Sequence, residues 1–162
     1  MIEIIKRGII HPVIDLLKQG VTPEKISLSI ALGGTVGIFP VIGTTSLFCG
    51  LLSYFLRLNM IAIQAVNYAV YPVQILMLVP FVRLGESISG SEPFPISTDA
   101  IIAMLKLGLI PTVRYFWEAT INGIMGWAVI STPSAFLVYI IIVPILRKTA
   151  EKYKNLRKTE KG

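Results

Sequence analysis

Charged residues are scarce in this sequence. They make up 15% of its 162 residues, against 54% apolar ones and a mean hydropathy of +0.73. Soluble domains carry about 25% charged residues, so a water-facing surface here would be badly undersupplied. Cysteine is nearly absent too: Cys49 stands alone inside an apolar stretch, which excludes an intramolecular disulfide and a cysteine metal site. His11 is the only histidine. Paired carboxylates are missing, as is a glycine-rich phosphate loop ahead of a strand. No Asp, Glu or His falls inside the long apolar runs. Intramembrane catalysis or proton coupling normally needs an ionisable group at that depth, so the chain is not expected to be an enzyme, and no cofactor or metal is expected either.

What is present is long and apolar. Ile26 to Leu56, Leu58 to Val82 and Ala119 to Leu146 contain no Asp, Glu, Lys, Arg or His. A helix needs about 20 residues to cross a hydrocarbon core of roughly 30 Å, and three such stretches in one short chain point to a membrane domain. No signal peptide is expected, because the first long apolar run begins only at Ile26, after a charged stretch. The net charge of +6 has a local origin: from Arg147 onward there are seven Lys and Arg against Glu151 and Glu160, which supplies +5. A basic run abutting an apolar span reads as a positive-inside anchor beside anionic lipid, not as a nucleic-acid site.

The expected organisation is one domain. Residues 1–22 form an interfacial amphipathic segment, with Ile5, Ile9, Val13, Leu16 and Leu17 on one face. Residues 23–56 form a broken helix that starts at Thr22-Pro23, an N-cap and a first-turn proline. Residues 58–82 form a span, and 83–118 a turn-rich connector with a short amphipathic helix capped by Ser97 or Thr98 and ended by Pro111. Residues 119–146 form a second span, kinked or broken near Pro133, and 147–162 a cytoplasmic tail. Two readings of 26–56 stand, a re-entrant hairpin or one kinked span. The connector nets −1, from Arg83, Lys106 and Arg114 against Glu86, Glu92, Asp99 and Glu118. With the basic tail inside, the positive-inside rule prefers the hairpin.

The break runs from Gly37 through Pro40 to Gly43. Proline loses a helical hydrogen bond, and irregular backbone at membrane depth must be buried in protein or line a watered cavity. Thr44, Thr45 and Ser46 would open the second half-helix and aim free N–H groups at the bend, an arrangement that suits an anion; the plainer reading is a packing kink. Gln64, Asn67, Tyr71 and Gln74 recur at helical spacing, so they form one polar stripe. That stripe is either a pathway wall facing the bend or interhelical glue. Arg57 and Arg83 bracket it as headgroup anchors or as a lipid-phosphate site. Gly33 and Gly37 offer a small-residue pair for close helix contact or dimerisation.

Gly20-Val21-Thr22-Pro23-Glu24, the Gly37-Ile38-Phe39-Pro40-Val41-Ile42-Gly43 bend, Arg57-Leu58-Asn59, Asn67, Pro72 and Gly85 together resemble the bacterial membrane-protein family named domain of unknown function 2062. The resemblance covers about residues 8 to 146. Many members carry Asn-Pro where this chain has Asn67-Tyr68, with its proline delayed to Pro72. Relatives of that family occur beside, or fused to, lipid acyltransferases and glycosyltransferases, so the resemblance implies envelope-lipid metabolism by association and names no activity. The fold expected is an all-α, polytopic helical membrane protein of the bacterial cytoplasmic membrane. Its expected role is binding or translocating a lipid or lipid-linked anionic molecule through Gly37, Pro40, Gly43, Thr44, Thr45, Ser46, Arg57, Asn59, Gln64, Asn67, Tyr71 and Gln74. The alternative is a non-catalytic scaffold for a lipid- or glycan-modifying enzyme. Membrane lipids, a second copy of the chain or an envelope enzyme are the expected partners.

Overall fold

The computed structural model describes residues 21–95, 97–106 and 108–159; the amphipathic helix expected over 2–18 lies outside them. Every element among the described residues is an α-helix: α1 (Pro23–Gly37), α2 (Thr45–Phe55), α3 (Met60–Ala69), α4 (Tyr71–Ser89), α5 (Thr98–Lys106) and α6 (Leu109–Thr159). Helix α1 starts where Thr22-Pro23 predicts. The Thr22 hydroxyl accepts from the Lys25 N–H at 3.4 Å, and Pro23 occupies the first turn, where no N–H is needed.

Residues 26–56 fold back on themselves as a helical hairpin. Gly37 ends α1, the chain reverses through 38–44, and Gly43 takes a left-handed φ of 89° that a side chain would resist. Helix α2 then returns far enough for the Asn59 N–H to donate to Ser29 Oγ of α1 at 3.2 Å. That bond brings the end of α2 back beside the middle of α1. Helix α3 runs parallel to α1 at close range. A Cβ on Gly33 would lie 2.6 Å from the Ile63 carbonyl oxygen, and one on Gly37 would meet Val70 and Asn67. The small-residue pair therefore serves a contact within the chain.

The Arg57-Leu58-Asn59 motif is a turn device. Leu58 N–H bonds to Ser53 O at 2.9 Å and Arg57 N–H to Tyr54 O at 3.4 Å, with Arg57 at φ 50°. This is a Schellman ending of α2, with arginine at the left-handed position where glycine is usual. Asn59 Oδ1 then caps α3 by accepting the Ala62 N–H at 2.8 Å. We expect Asn59→Ala to cost about 1 kcal/mol and Asn59→Asp much less, read as midpoint shifts in thermal unfolding. Equal losses for the two would refute the cap.

One expectation is corrected at Val70. Residues 58–82 are not one straight helix: α3 and α4 meet there at 62°. Val70 closes α3 through its N–H to Val66 O at 3.0 Å and opens α4 by accepting from Gln74 N at 2.9 Å. Pro72 sits in the first turn of α4. Its ring would press on the Tyr68 carbonyl four residues back in a straight continuation and fits the first turn of a new helix without that cost.

Pro111 also starts a helix where it was expected to end one. Helix α6 begins at Leu109, after Gly108 at φ 103°, and takes Pro111 in its first turn. It then continues through Pro133 and Pro144. Ser131, Thr132 and Ser134 donate to the carbonyls of Trp127, Ala128 and Ile130 around the first of these prolines. Helix α6 packs antiparallel to α4 through Gly85, seated on the Asn122 backbone, and Gly126, seated on the Phe81 backbone. It packs antiparallel to α1 as well: Trp127 Nε1 donates to Thr35 O at 2.8 Å, and Arg147 Nε to Glu24 Oε1 at 2.7 Å. The Glu24 carboxyl is held below its usual range, first by backbone N–H groups at the start of α1 and then by Arg147. Ile26, Ala62 and Leu146 form one core cluster, so Glu24, Arg57 and Arg147 gather at one end of the molecule. Glu86, Arg114 and Glu118 lie at the other.

Helix α6 from Leu109 to Glu151 is long and apolar enough to cross a bilayer, and α3 with α4 passes the same test only as a bent pair.

Candidate functional site

The bend and the polar stripe do meet, mostly by backbone capture. Gln64 Nε2 donates to Ser46 O at 2.9 Å, and Gln74 Nε2 to Phe39 O at 2.7 Å. Asn67 Nδ2 donates to Ser46 Oγ at 3.2 Å and to Gln64 Oε1 at 3.1 Å. Gln74 supplies a donor to the Phe39 carbonyl, released where the helix is interrupted, which meets the requirement on irregular buried backbone. Gln64 adds a second donor to the Ser46 carbonyl in the first turn of α2. Gln74 is fully buried and Asn67 is 3% exposed, and their carbonyl oxygens have no hydrogen-bond partner among the described residues. Asn67 Oδ1 instead packs against Gly37, where a Cβ would come within 3.2 Å of it. Tyr71 does not join the stripe: the break at Val70 rotates it away, and it is 46% exposed.

The remaining residues singled out divide between this bend and the far end of the hairpin. The Phe39 ring makes edge contacts with Phe48 and Trp127 at 5.4 and 4.9 Å, and Pro40 lies against Gly123. Thr44 Oγ1 donates back to Val41 O at 2.8 Å and does not cap α2, while Thr45 is buried. Arg57 and Asn59 belong to the opposite turn, so the expected single cluster is two clusters. Arg83 is not a free headgroup anchor either. Its guanidinium holds Glu86 Oε2 at 2.8 Å and Phe94 O at 3.0 Å.

That last contact opens on a site the sequence reading missed. Glu86 is 5% exposed, and its other oxygen accepts the Phe94 N–H at 2.6 Å. Asn122, 6% exposed, accepts from Ser89 Oγ at 3.0 Å and donates to Ser91 Oγ at 2.8 Å. Together these bonds pin residues 89–95 over a cavity of about 790 Å³ whose lining includes Glu86, Phe94, Met104, Arg114, Glu118 and Asn122. Pockets of this size hold small molecules. A signal was available in Gly85-Glu86, a carboxylate beside a glycine at the end of an apolar helix. Its ion-pair partner Arg83 is within helical reach. Phe94 is 8 residues on and Asn122, which frames the same wall, is 36 residues on, and local periodicity does not bring those two to it. Among the described residues no group of three or more His, Cys, Asp and Glu is arranged to hold a metal.

No curated protein and no solved structure matches the chain. A family profile does, over residues 6–155, and its description is an uncharacterized protein conserved in bacteria. The match takes in the hairpin bend, the Arg57–Asn59 turn and the Gly85 contact, so the chain belongs to this bacterial family, DUF2062.

Proposed function

We propose that this protein is a multi-pass, non-catalytic component of the bacterial cytoplasmic membrane that binds or moves a lipid or lipid-linked molecule. The observation that carries the membrane reading is the environment of α6. Its most apolar window has a mean hydropathy of 2.2 and is only 17% buried. The core helix of a soluble protein would be mostly buried, whereas here Val129, Phe136, Leu137, Ile140, Ile141 and Ile145 face outward. Exposed apolar surface on that scale supports a hydrocarbon surrounding. Residues 119–146 measure about 42 Å along the axis and cover a core of about 30 Å with tilt and ends that reach the headgroups.

In this frame the hairpin is re-entrant. It enters and leaves at the Arg147 end and reaches the level of Gly123 on α6. Helices α3 and α4 cross as one bent span, and α6 returns. The basic end, with Arg57 and Arg147, faces the cytoplasm. Lipid handling is supported by a deep hairpin whose polar groups are turned inward, and by a cavity at the opposite headgroup level. Exposed Ile102, Leu105, Leu109, Ile110 and Val113 around the α5–α6 corner favour a second reading, a scaffold that docks an envelope enzyme there.

The test is aqueous labelling of single cysteines at Lys18, Arg57, Ser91 and Lys158, in a Cys49→Ala background in intact cells. We expect Lys18, Arg57 and Lys158 to label from the cytoplasm and Ser91 from outside. Lys18 and Arg57 labelling from opposite sides would overturn the re-entrant topology.

A further inference from the structure

We infer that the cavity over Glu86 and Asn122 is a headgroup site for a phospholipid whose head carries a primary ammonium. The inference rests on the membrane reading above and assigns a ligand class to one end of it. Depth selects a lipid: Glu118 on the cavity rim immediately precedes the charge-free run that starts at Ala119, so the opening stands where headgroups meet hydrocarbon. Shape agrees with an amphiphile. Phe94, Met104 and Ile110 supply an apolar wall for the first methylenes, with polar groups around it.

Charge selects the head. The lining carries three carboxylates, Glu86, Glu92 and Glu118, against the single guanidinium of Arg114. Arg83 pairs with Glu86 and Arg114 pairs with Glu118 at 3.1 Å, which leaves Glu92 without an ion pair among the described residues. A purely anionic head meets a surplus of like charge here. A head with both phosphate and ammonium sets its phosphate toward Arg114 and donates its N–H groups to Glu92 and Glu118. The buried pair of Glu86 and Asn122 is a positioning device, because its bonds to Phe94, Ser89 and Ser91 hold the cavity wall in place.

The experiment purifies the full chain from nanodiscs containing equal amounts of ethanolamine, choline and glycerol phospholipids and measures which lipids stay bound by native mass spectrometry. We expect the ethanolamine lipid to be retained over each of the others by about fivefold, the scale of one rim ion pair. Glu92→Gln with Glu118→Gln should bring the ratio near unity, and Ala103→Trp, which fills the cavity, should lower retention itself. Both variants change the cavity lining and leave the Gly85–Asn122 contact alone. Equal retention of choline lipid overturns the proposal, since a trimethylammonium has no N–H to donate. A ratio unchanged by the double Gln variant overturns it too, as does retention unchanged by Ala103→Trp or displacement of the lipid by soluble phosphoethanolamine alone. A chain that passes the labelling test and shows no lipid preference refutes this inference only; one that fails to insert refutes the membrane reading beneath it.

Discussion

Gly85→Ala is expected to lower stability by about 3 kcal/mol, at the upper end of what overpacking one methyl costs. Helix propensity alone argues the other way, since alanine is better than glycine in a helix interior by about 1 kcal/mol. Contact decides the sign. A Cβ at Gly85 would fall on the Asn122 carbonyl, well inside the 3.0 Å that real Cβ atoms keep. That neighbour is backbone of α6, which cannot swing aside as a side chain would, so α4 and α6 would have to separate. Their separation would also stretch the Asn122 bonds to Ser89 and Ser91 that frame the cavity. Gly126→Ala should behave alike against Phe81. Gly34→Ala is the control: its new methyl would meet only Val66 Cγ1 at 3.8 Å, ordinary contact, so propensity wins and stability holds or rises. Thermal unfolding in mild detergent reads all three. A Gly85→Ala midpoint at or above that of the parent would rule out the close α4–α6 contact.

Replacing the fully buried Gln74 by leucine is expected to cost about 2 kcal/mol, within the range for a buried acceptor that loses its donor. The stranded group is the Phe39 carbonyl, which receives Gln74 Nε2 at 2.7 Å. Part of the loss is offset, because Gln74 Oε1 has no hydrogen-bond partner among the described residues and leucine removes it. Gln64→Leu should cost less: Gln64 is only partly buried, and the Ser46 carbonyl lies in the first turn of α2, where it has a helical donor as well. Tyr71→Phe should be nearly silent, because that side chain points outward. The order Gln74, Gln64, Tyr71 in midpoint loss tests the division of the stripe. If Tyr71→Phe proves as costly as Gln74→Leu, the bend at Val70 is misplaced.

How much of this was legible in the sequence depends on the range of the interaction involved. Thr22-Pro23 marked the start of α1, and Gly37, Pro40 and Gly43 marked its end, because capping and proline chemistry act within a turn. The charge-free runs marked the apolar elements, and the helical spacing of Gln64, Asn67 and Gln74 placed them together on the face that meets the bend. Even the misreading at Pro111 was local, since a proline fits the first turn of a helix as well as it closes the one before.

Tertiary structure alone decided the rest. Charge preferred a hairpin, but the return of α2 toward α1 is carried by a bond between residues 30 apart, Asn59 to Ser29. Glu86 looked like an ordinary connector charge until Arg83, Phe94 and the neighbouring wall around Asn122 closed over it. Arg57 and Asn59 looked like part of a polar site, yet their bonds assign them to a helix ending and a cap. Composition and periodicity determined that this chain is helical and apolar, because those properties are sums over neighbours. Which polar group meets which is set by two glycine seats on α6 and one 62° bend at Val70, and those arise only when distant helices pack.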